Sequence, residues 1–154
     1  DETLQQLEGR LKQASVSLLT EALPKYLRNE LPGIPQDEQS VTFSSMISRE
    51  MECVSFEKEP VDVLYNHIRA LIDWPLPYGM LDGKRVKFFE VRKEIKEVQE
   101  APGTVLGFKK GYMEVAAIGG ILRVYSLQLE GKKRMDANSF ANGYADEVTG
   151  KRFA

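Results

Sequence analysis

From Pro75 onward the chain is cut into short runs by closely spaced turn signals: Asp82-Gly83, Pro102-Gly103, Lys109-Lys110-Gly111 and Gly119-Gly120. Breaks at that spacing leave little room for a helix and favour single strands joined by tight turns. The runs "GMLDGKRVKFFEVRKE", "GTVLGF", "YMEVAA" and "ILRVYSLQ" include stretches where apolar and charged residues alternate with a period of two, as strands with one face in a core require. Asp82-Gly83 is a strong hairpin signal, since both central residues of such a turn need positive φ. It sets Val86, Phe88 and the next inward position toward the core. The expectation is a small antiparallel barrel, with Asp136 capping a short helix through "ANSFANGY" before a polar tail.

Upstream the period changes. Leu4, Leu7, Leu11, Ala14, Leu18, Ala22 and Tyr26 are spaced by three and four and line one helical face. Gly9, "ASVS" and Pro24 weaken that helix, which predicts two short helices meeting near Ser15. The leucines on this face need a partner surface, so the segment reads as the tail of another domain. Pro32, Gly33 and Pro35 then open a polar stretch without periodicity, read as a linker. In "EPVDVLYNHIRALIDWP", Pro60 stands at the predicted first helical position, and Leu64, Ile68, Leu71 and Ile72 share a face until Pro75. The organisation expected is a helical segment over 1–35, a linker over 36–55 and a barrel domain over 56–154.

Apolar residues make up 42% of the 154, enough to fill one core. Cys53 stands alone, which excludes an internal disulfide and a CxxC metal site, and no apolar run is long enough for a membrane span. A reducing, cytoplasmic setting without metal or membrane partner follows as the expectation. The chain opens at Asp1 with an amphipathic segment, so a longer protein is expected to precede it.

Little points to catalysis within the chain. His67, beside Leu64 and Ile68, reads as a partly buried helix histidine, and Cys53 as an inert thiol. The carboxylate pairs Glu57/Glu59 and Glu94/Glu97 read as solvated faces. "APGTVLG" and "AIGGILR" lack the glycine spacing that presents several N–H groups to a phosphate. Charge is more telling: residues 1–83 carry seven basic against fourteen acidic side chains, whereas 84–154 carry fourteen basic against nine acidic. Lys84 and Arg85, Lys109 and Lys110, and Lys132, Lys133 and Arg134 fall at predicted turns, where they either track phosphates or block strand-edge pairing. Phe89, Tyr112 and Tyr125 are available for base stacking but, as strand aromatics, read first as core.

Three motifs carry a family resemblance. "LYNHIRALIDWP" is similar to the helix and Trp-Pro corner of the methionyl-tRNA formyltransferases, "APGTVL" to their Ala-Pro-Gly-Thr turn, and "GGILRVYSLQLEGKKRM" to their last strand and Gly-Lys-Lys-x-Met exit. "MISREME" resembles their linker through Ile47, Ser48, Arg49 and Glu50, with Met46 standing where lysine is frequent. The first thirty residues resemble the closing helices of the family's catalytic domain. The resemblance implies a C-terminal part with an OB-like domain that helps bind initiator methionyl-tRNA. The catalytic asparagine, histidine and aspartate, and the formyl donor 10-formyltetrahydrofolate, would belong to an N-terminal domain joined in cis. No catalytic, cofactor or metal residue is expected within this chain. The tRNA contacts implied are Arg49, Lys84, Arg85, Lys87, Lys109, Lys110, Arg123, Lys132, Lys133, Arg134, Lys151 and Arg152. A sugar formyltransferase sharing such a barrel, and a free-standing nucleic-acid-binding barrel, remain the alternatives.

Overall fold

A computed structural model describes all 154 residues, which form an α+β protein. They fall into two compact units, one comprising Leu4–Ile47 with Glu2 and the other Ser48–Ala154 with Asp1 and Thr3.

The first unit is dominated by one helix, α1 (Leu4–Leu27), where two shorter ones were expected. The weak points do not add up to a break. Gly9 costs only about 1 kcal/mol relative to alanine, and Pro24 lies in the last turn, where its missing N–H disrupts little of the helix. The mid-helix hydroxyls turn back onto the helix itself, Ser17 Oγ donating to the Gln13 carbonyl at 3.3 Å and Thr20 Oγ1 to that of Val16 at 2.8 Å. No residue of α1 is buried, and Leu18, Leu19 and Leu27 are each at least 60% exposed. A 3-10 turn at Glu38–Ser40, capped by Asp37, is the only further element of this unit.

The second unit begins at a 3-10 turn, Arg49–Glu52, and leads through fully buried Val54 and Phe56 into α2 (Val61–Leu71). The segment read as linker therefore contributes to the core from Val54 onward. Pro60 is the residue before α2 rather than its first, and Val61, Leu64, Ile68 and Leu71 form the buried face that packs on β2 and β5. The strands are β1 (Tyr78–Leu81), β2 (Lys84–Ile95), β3 (Val105–Lys109), β4 (Tyr112–Ala117), β5 (Gly120–Leu129) and the short β6 (Met135–Asp136). All pair antiparallel in the order β1-β2-β5-β4-β3, with β6 alongside the second half of β5. The β1–β2 turn is the expected hairpin, Asp82 and Gly83 having φ of 54° and 75°. Asp136 caps α3 (Ala137–Val148) by accepting the Ser139 N–H at 2.8 Å, and Phe140 anchors that helix in the core.

An open sheet in that order would leave β1 and β3 as edges. Residues 150–154, read from sequence as a polar tail, join them instead. Leu81 pairs with Phe153 and Thr104 with Arg152. Phe153 N–H donates to the Gly103 carbonyl and Ala154 N–H to that of Met80, each at 2.9 Å. Phe153 itself is fully buried, its ring centroid 5.0 Å from that of Phe56 and 5.7 Å from that of Phe88. Gly103 makes the approach possible: its φ is 90°, and a Cβ there would lie 2.5 Å from the Phe153 carbonyl oxygen.

The β2–β5 ladder carries two offset irregularities. Phe88 pairs with Leu127, Glu90 with Ser126 and Val91 with Val124, so Phe89 is an extra residue on β2 and Tyr125 an extra residue on β5. The next inward residue after Phe88 is thus Val91. Such bulges increase local twist and coil the long strands around the core.

Closure by Phe153 predicts that Phe153→Ala destabilises the second unit by about 3–5 kcal/mol. Lys151→Ala, two positions away and in a half-exposed ion pair with Asp82, should cost far less. Denaturant midpoints of the two variants test this, and equal losses would mean that the segment is not what closes the barrel.

Candidate nucleic-acid interface

Whether a cation can meet a phosphate depends on whether it already has a carboxylate, and this divides the expected contacts. Lys109 Nζ lies 2.9 Å from Glu114 Oε2. That hydrogen bond raises the Lys109 ammonium above its ordinary pKa and keeps it charged, but committed. Arg123 is held by Glu94 and lies 3.5 Å from Glu114 Oε1. Lys151 pairs with Asp82, and Arg152 with Glu57 at 2.7 Å and with the Pro102 carbonyl at 2.8 Å. These four cations, clustered in the sequence's basic half, mainly hold the barrel together.

Arg49, Lys84, Arg85, Lys87, Lys110, Lys132, Lys133 and Arg134 make no ion pair. Arg49 sits in the 3-10 turn before the core and Lys110 at the β3–β4 turn, neither of them beside the rest. Of the others, Lys84, Arg85 and Lys87 stand on the first part of β2, which runs beside β5, and Lys132, Lys133 and Arg134 follow in the turn that leads out of β5. Lys87 is directly opposite Gln128, whose amide donates to the Lys132 carbonyl at 2.8 Å. Arg85 and Lys87 line one open cleft with Gln128, Glu130 and Gly131. The Arg85 guanidinium lies 5.0 Å from the Tyr78 ring centroid, and its backbone N–H donates to Glu130 Oε2 at 3.0 Å. Glu130 is thus the acidic neighbour of this cleft. Arg134 continues the strip, its Nε donating to Ser126 Oγ at 2.9 Å and its guanidinium lying 4.5 Å from the Phe89 centroid.

Two readings change with the structure. Phe89, Tyr112 and Tyr125 are not core residues but half-buried on the outer face of the sheet. Arg92, which sequence reasoning did not single out, is exposed beside them, 5.4 Å from the Tyr125 centroid. The adjacent pair Phe88-Phe89 carried the signal, since neighbours on a regular strand cannot both face the core. Trp74, next to the buried face of α2, is itself 65% exposed.

His67 is a structural residue. Its Nδ1 is 2.9 Å from Glu59 Oε2 and its Nε2 is 2.6 Å from the Met51 carbonyl, so both ring nitrogens are engaged in tying the 51–59 segment to α2. No three His, Cys, Asp or Glu side chains converge as metal ligands would, and no helix is long and apolar enough to cross a membrane.

Residues 46–145 match the family described as formyl transferase, C-terminal domain. The chain belongs to this family. It is 37% identical over 153 residues to the methionyl-tRNA formyltransferase of Macrococcus caseolyticus, covering 99% of this chain and 48% of that protein. With the enzyme of the same name from Halalkalibacterium halodurans it shares 35% identity over 150 residues, covering 97% of this chain and 47% of the relative. The chain thus spans about half the length of the curated relatives it matches. Among solved structures, a HypX variant from Aquifex aeolicus superposes with a TM-score of 0.71 at 16% identity, covering 96% of this chain and 27% of that one. HypX in complex with tetrahydrofolic acid superposes at 0.64 and 18% identity, over 88% of this chain and 24% of that one. The likeness to both is one of fold.

The Lys151–Asp82 pair predicts a pH effect. The hydrogen bond from Lys151 holds the Asp82 carboxyl below its usual range. A carboxyl lowered on folding adds stability that is present above its unfolded pKa and lost as pH falls through the folded one. Asp82→Asn keeps the turn, since Asn-Gly suits the same φ values, but removes the pair. The melting-temperature difference between parent and variant should therefore shrink on acidification below the carboxylate range, and a pH-independent difference would contradict it.

Proposed function

We propose that this chain is the C-terminal part of a methionyl-tRNA formyltransferase of the cytoplasm. In this reading its barrel holds the sugar-phosphate backbone of initiator methionyl-tRNA. The formyl group passes from 10-formyltetrahydrofolate to the methionine amino group in an N-terminal domain. Residues 1–35 belong with that domain, 36–55 connect the two parts, and 56–154 bind tRNA. The apolar side chains exposed along α1 support the first assignment, because such a stripe is costly to leave in water.

The observation that carries the tRNA reading is that Arg85 and Lys87, which line one cleft at the β2–β5 pair, and Lys132, Lys133 and Arg134, in the turn that adjoins it, are not paired with a carboxylate. Cations that serve only to protect strand edges have no reason to gather on central strands. Contacts to phosphates fix position without reading bases, so this surface binds tRNA without selecting the initiator species.

Replacing Lys132, Lys133 and Arg134 together by alanine should reduce the slope of log affinity against log salt by about two to three units for any tRNA. The control is Arg10, Lys12 and Arg28, which the structure pairs with Glu2, Glu8 and Glu30. Its alanine triple variant should leave the slope unchanged. An unaltered slope in the first variant would reduce the cations to surface solvation. The purified chain, incubated with the formyl donor and charged tRNA, should transfer no formyl group above a protein-free control.

A further inference from the structure

The outer face of the sheet carries two large rings at its paired bulges. Phe89 and Tyr125 are the two extra residues of the paired bulges, one on each strand; each follows an inward residue, Phe88 or Val124, and is half-buried. Each ring is then covered by an exposed arginine that has no carboxylate partner: Arg134 at 4.5 Å over Phe89, Arg92 at 5.4 Å over Tyr125. Tyr112 lies 5.3 Å from Tyr125 with the two rings tilted, and there the covering arginine is Arg123, already neutralised by Glu94 and Glu114. The row thus has a neutral end and an open end. At the open end, Arg134 Nε donates to Ser126 Oγ, which fixes the guanidinium over the ring while the residue stays exposed.

We propose that Arg134 on Phe89 and Arg92 on Tyr125 form a stacking platform for unpaired bases of single-stranded RNA. The inference rests on the tRNA-binding reading above and deepens it: the cations at Arg85, Lys87, Lys132 and Lys133 hold flanking phosphates, and the platform takes bases that are not in a helix. A guanidinium sandwiched between a ring and a base is stabilised on both faces, and the arrangement tolerates any base. A duplex offers no free base face and meets only the phosphate-binding strip. The preferred target is therefore a loop or a single-stranded end rather than a stem.

The test uses the 154-residue chain with two RNA probes of one sequence, a single strand carrying a fluorescent adenine analogue and its blunt duplex. The single strand should bind more tightly at equal phosphate number, with the analogue's emission quenched. In the Arg92→Lys, Arg134→Lys double variant the charge stays but the planar group is lost. Single-strand affinity should fall about tenfold, duplex affinity much less, and the salt slope, which counts charges, should stay the same. Phe89→Leu with Tyr125→Leu should act likewise, and if that variant does not fold the lysine variant decides alone. Equal binding of the two probes, or a lysine variant indistinguishable from the parent, would overturn the platform while leaving the phosphate strip intact. Salt-independent or absent binding of both probes would overturn the tRNA reading and the platform with it.

Discussion

Phe153 carries more of the second unit than its position near the end of the chain suggests. The sheet order leaves β1 and β3 at opposite edges, and only the backbone of residues 150–154 bonds to both. Backbone bonds alone would leave that segment free to fray. Burial of the Phe153 ring against Phe56 and Phe88 turns it into a staple. Since Phe56 comes from the segment before α2 and Phe88 from the middle of β2, one ring ties the entrance, the long strand and the closing strand together. The glycines at 79 and 103 make room for it: a Cβ on Gly79 would lie 2.8 Å from the Phe153 ring.

Closure also sorts the charges. Lys151 and Arg152 flank Phe153, and their pairing with Asp82 and Glu57 fastens the closing segment to the surrounding structure. Glu114, itself buried, is compensated by Lys109 and Arg123 on neighbouring strands. What remains without a carboxylate is gathered mostly around the first half of β2 and the β5–β6 turn. The basic excess of residues 84–154 is therefore less a uniform field than a local surplus, left where the scaffold has no use for it.

The strands, the Asp82-Gly83 hairpin, the buried face of α2 and the Asp136 cap were legible because each follows from local pattern and turn chemistry. The closing segment was not, since "GKRFA" has no period and its one apolar residue gains meaning only from two distant edges. Breaks in α1 were overestimated because propensity deficits are small beside the cooperativity of a long helix. Trp74 shows the converse limit: a large aromatic next to a buried helical face invites assignment to the core, yet chain direction after Leu71 carries it outward. For the interface, which cations were present was readable and which were free was not. Neutralisation depends on residues as distant as Asp82 and Lys151.

The paired bulges have a bearing on how this surface can change over evolutionary time. Before Phe89 and after Tyr125 the two strands are in the same register, because one inserted residue offsets the other. Losing Phe89 alone would leave Tyr125 as a single bulge on β5, with Glu90 still opposite Ser126 and Val91, now second after Phe88, still inward opposite Val124. Losing Tyr125 alone would likewise leave Phe89 as the single bulge on β2. Only the loss of both restores an ordinary ladder, with Val91 and Val124 still inward, and that ladder would have shed both outward rings. The outer face can thus be pared down in single steps: either bulge can be lost on its own without moving Val91 or Val124 from the core, at the cost of one outward ring.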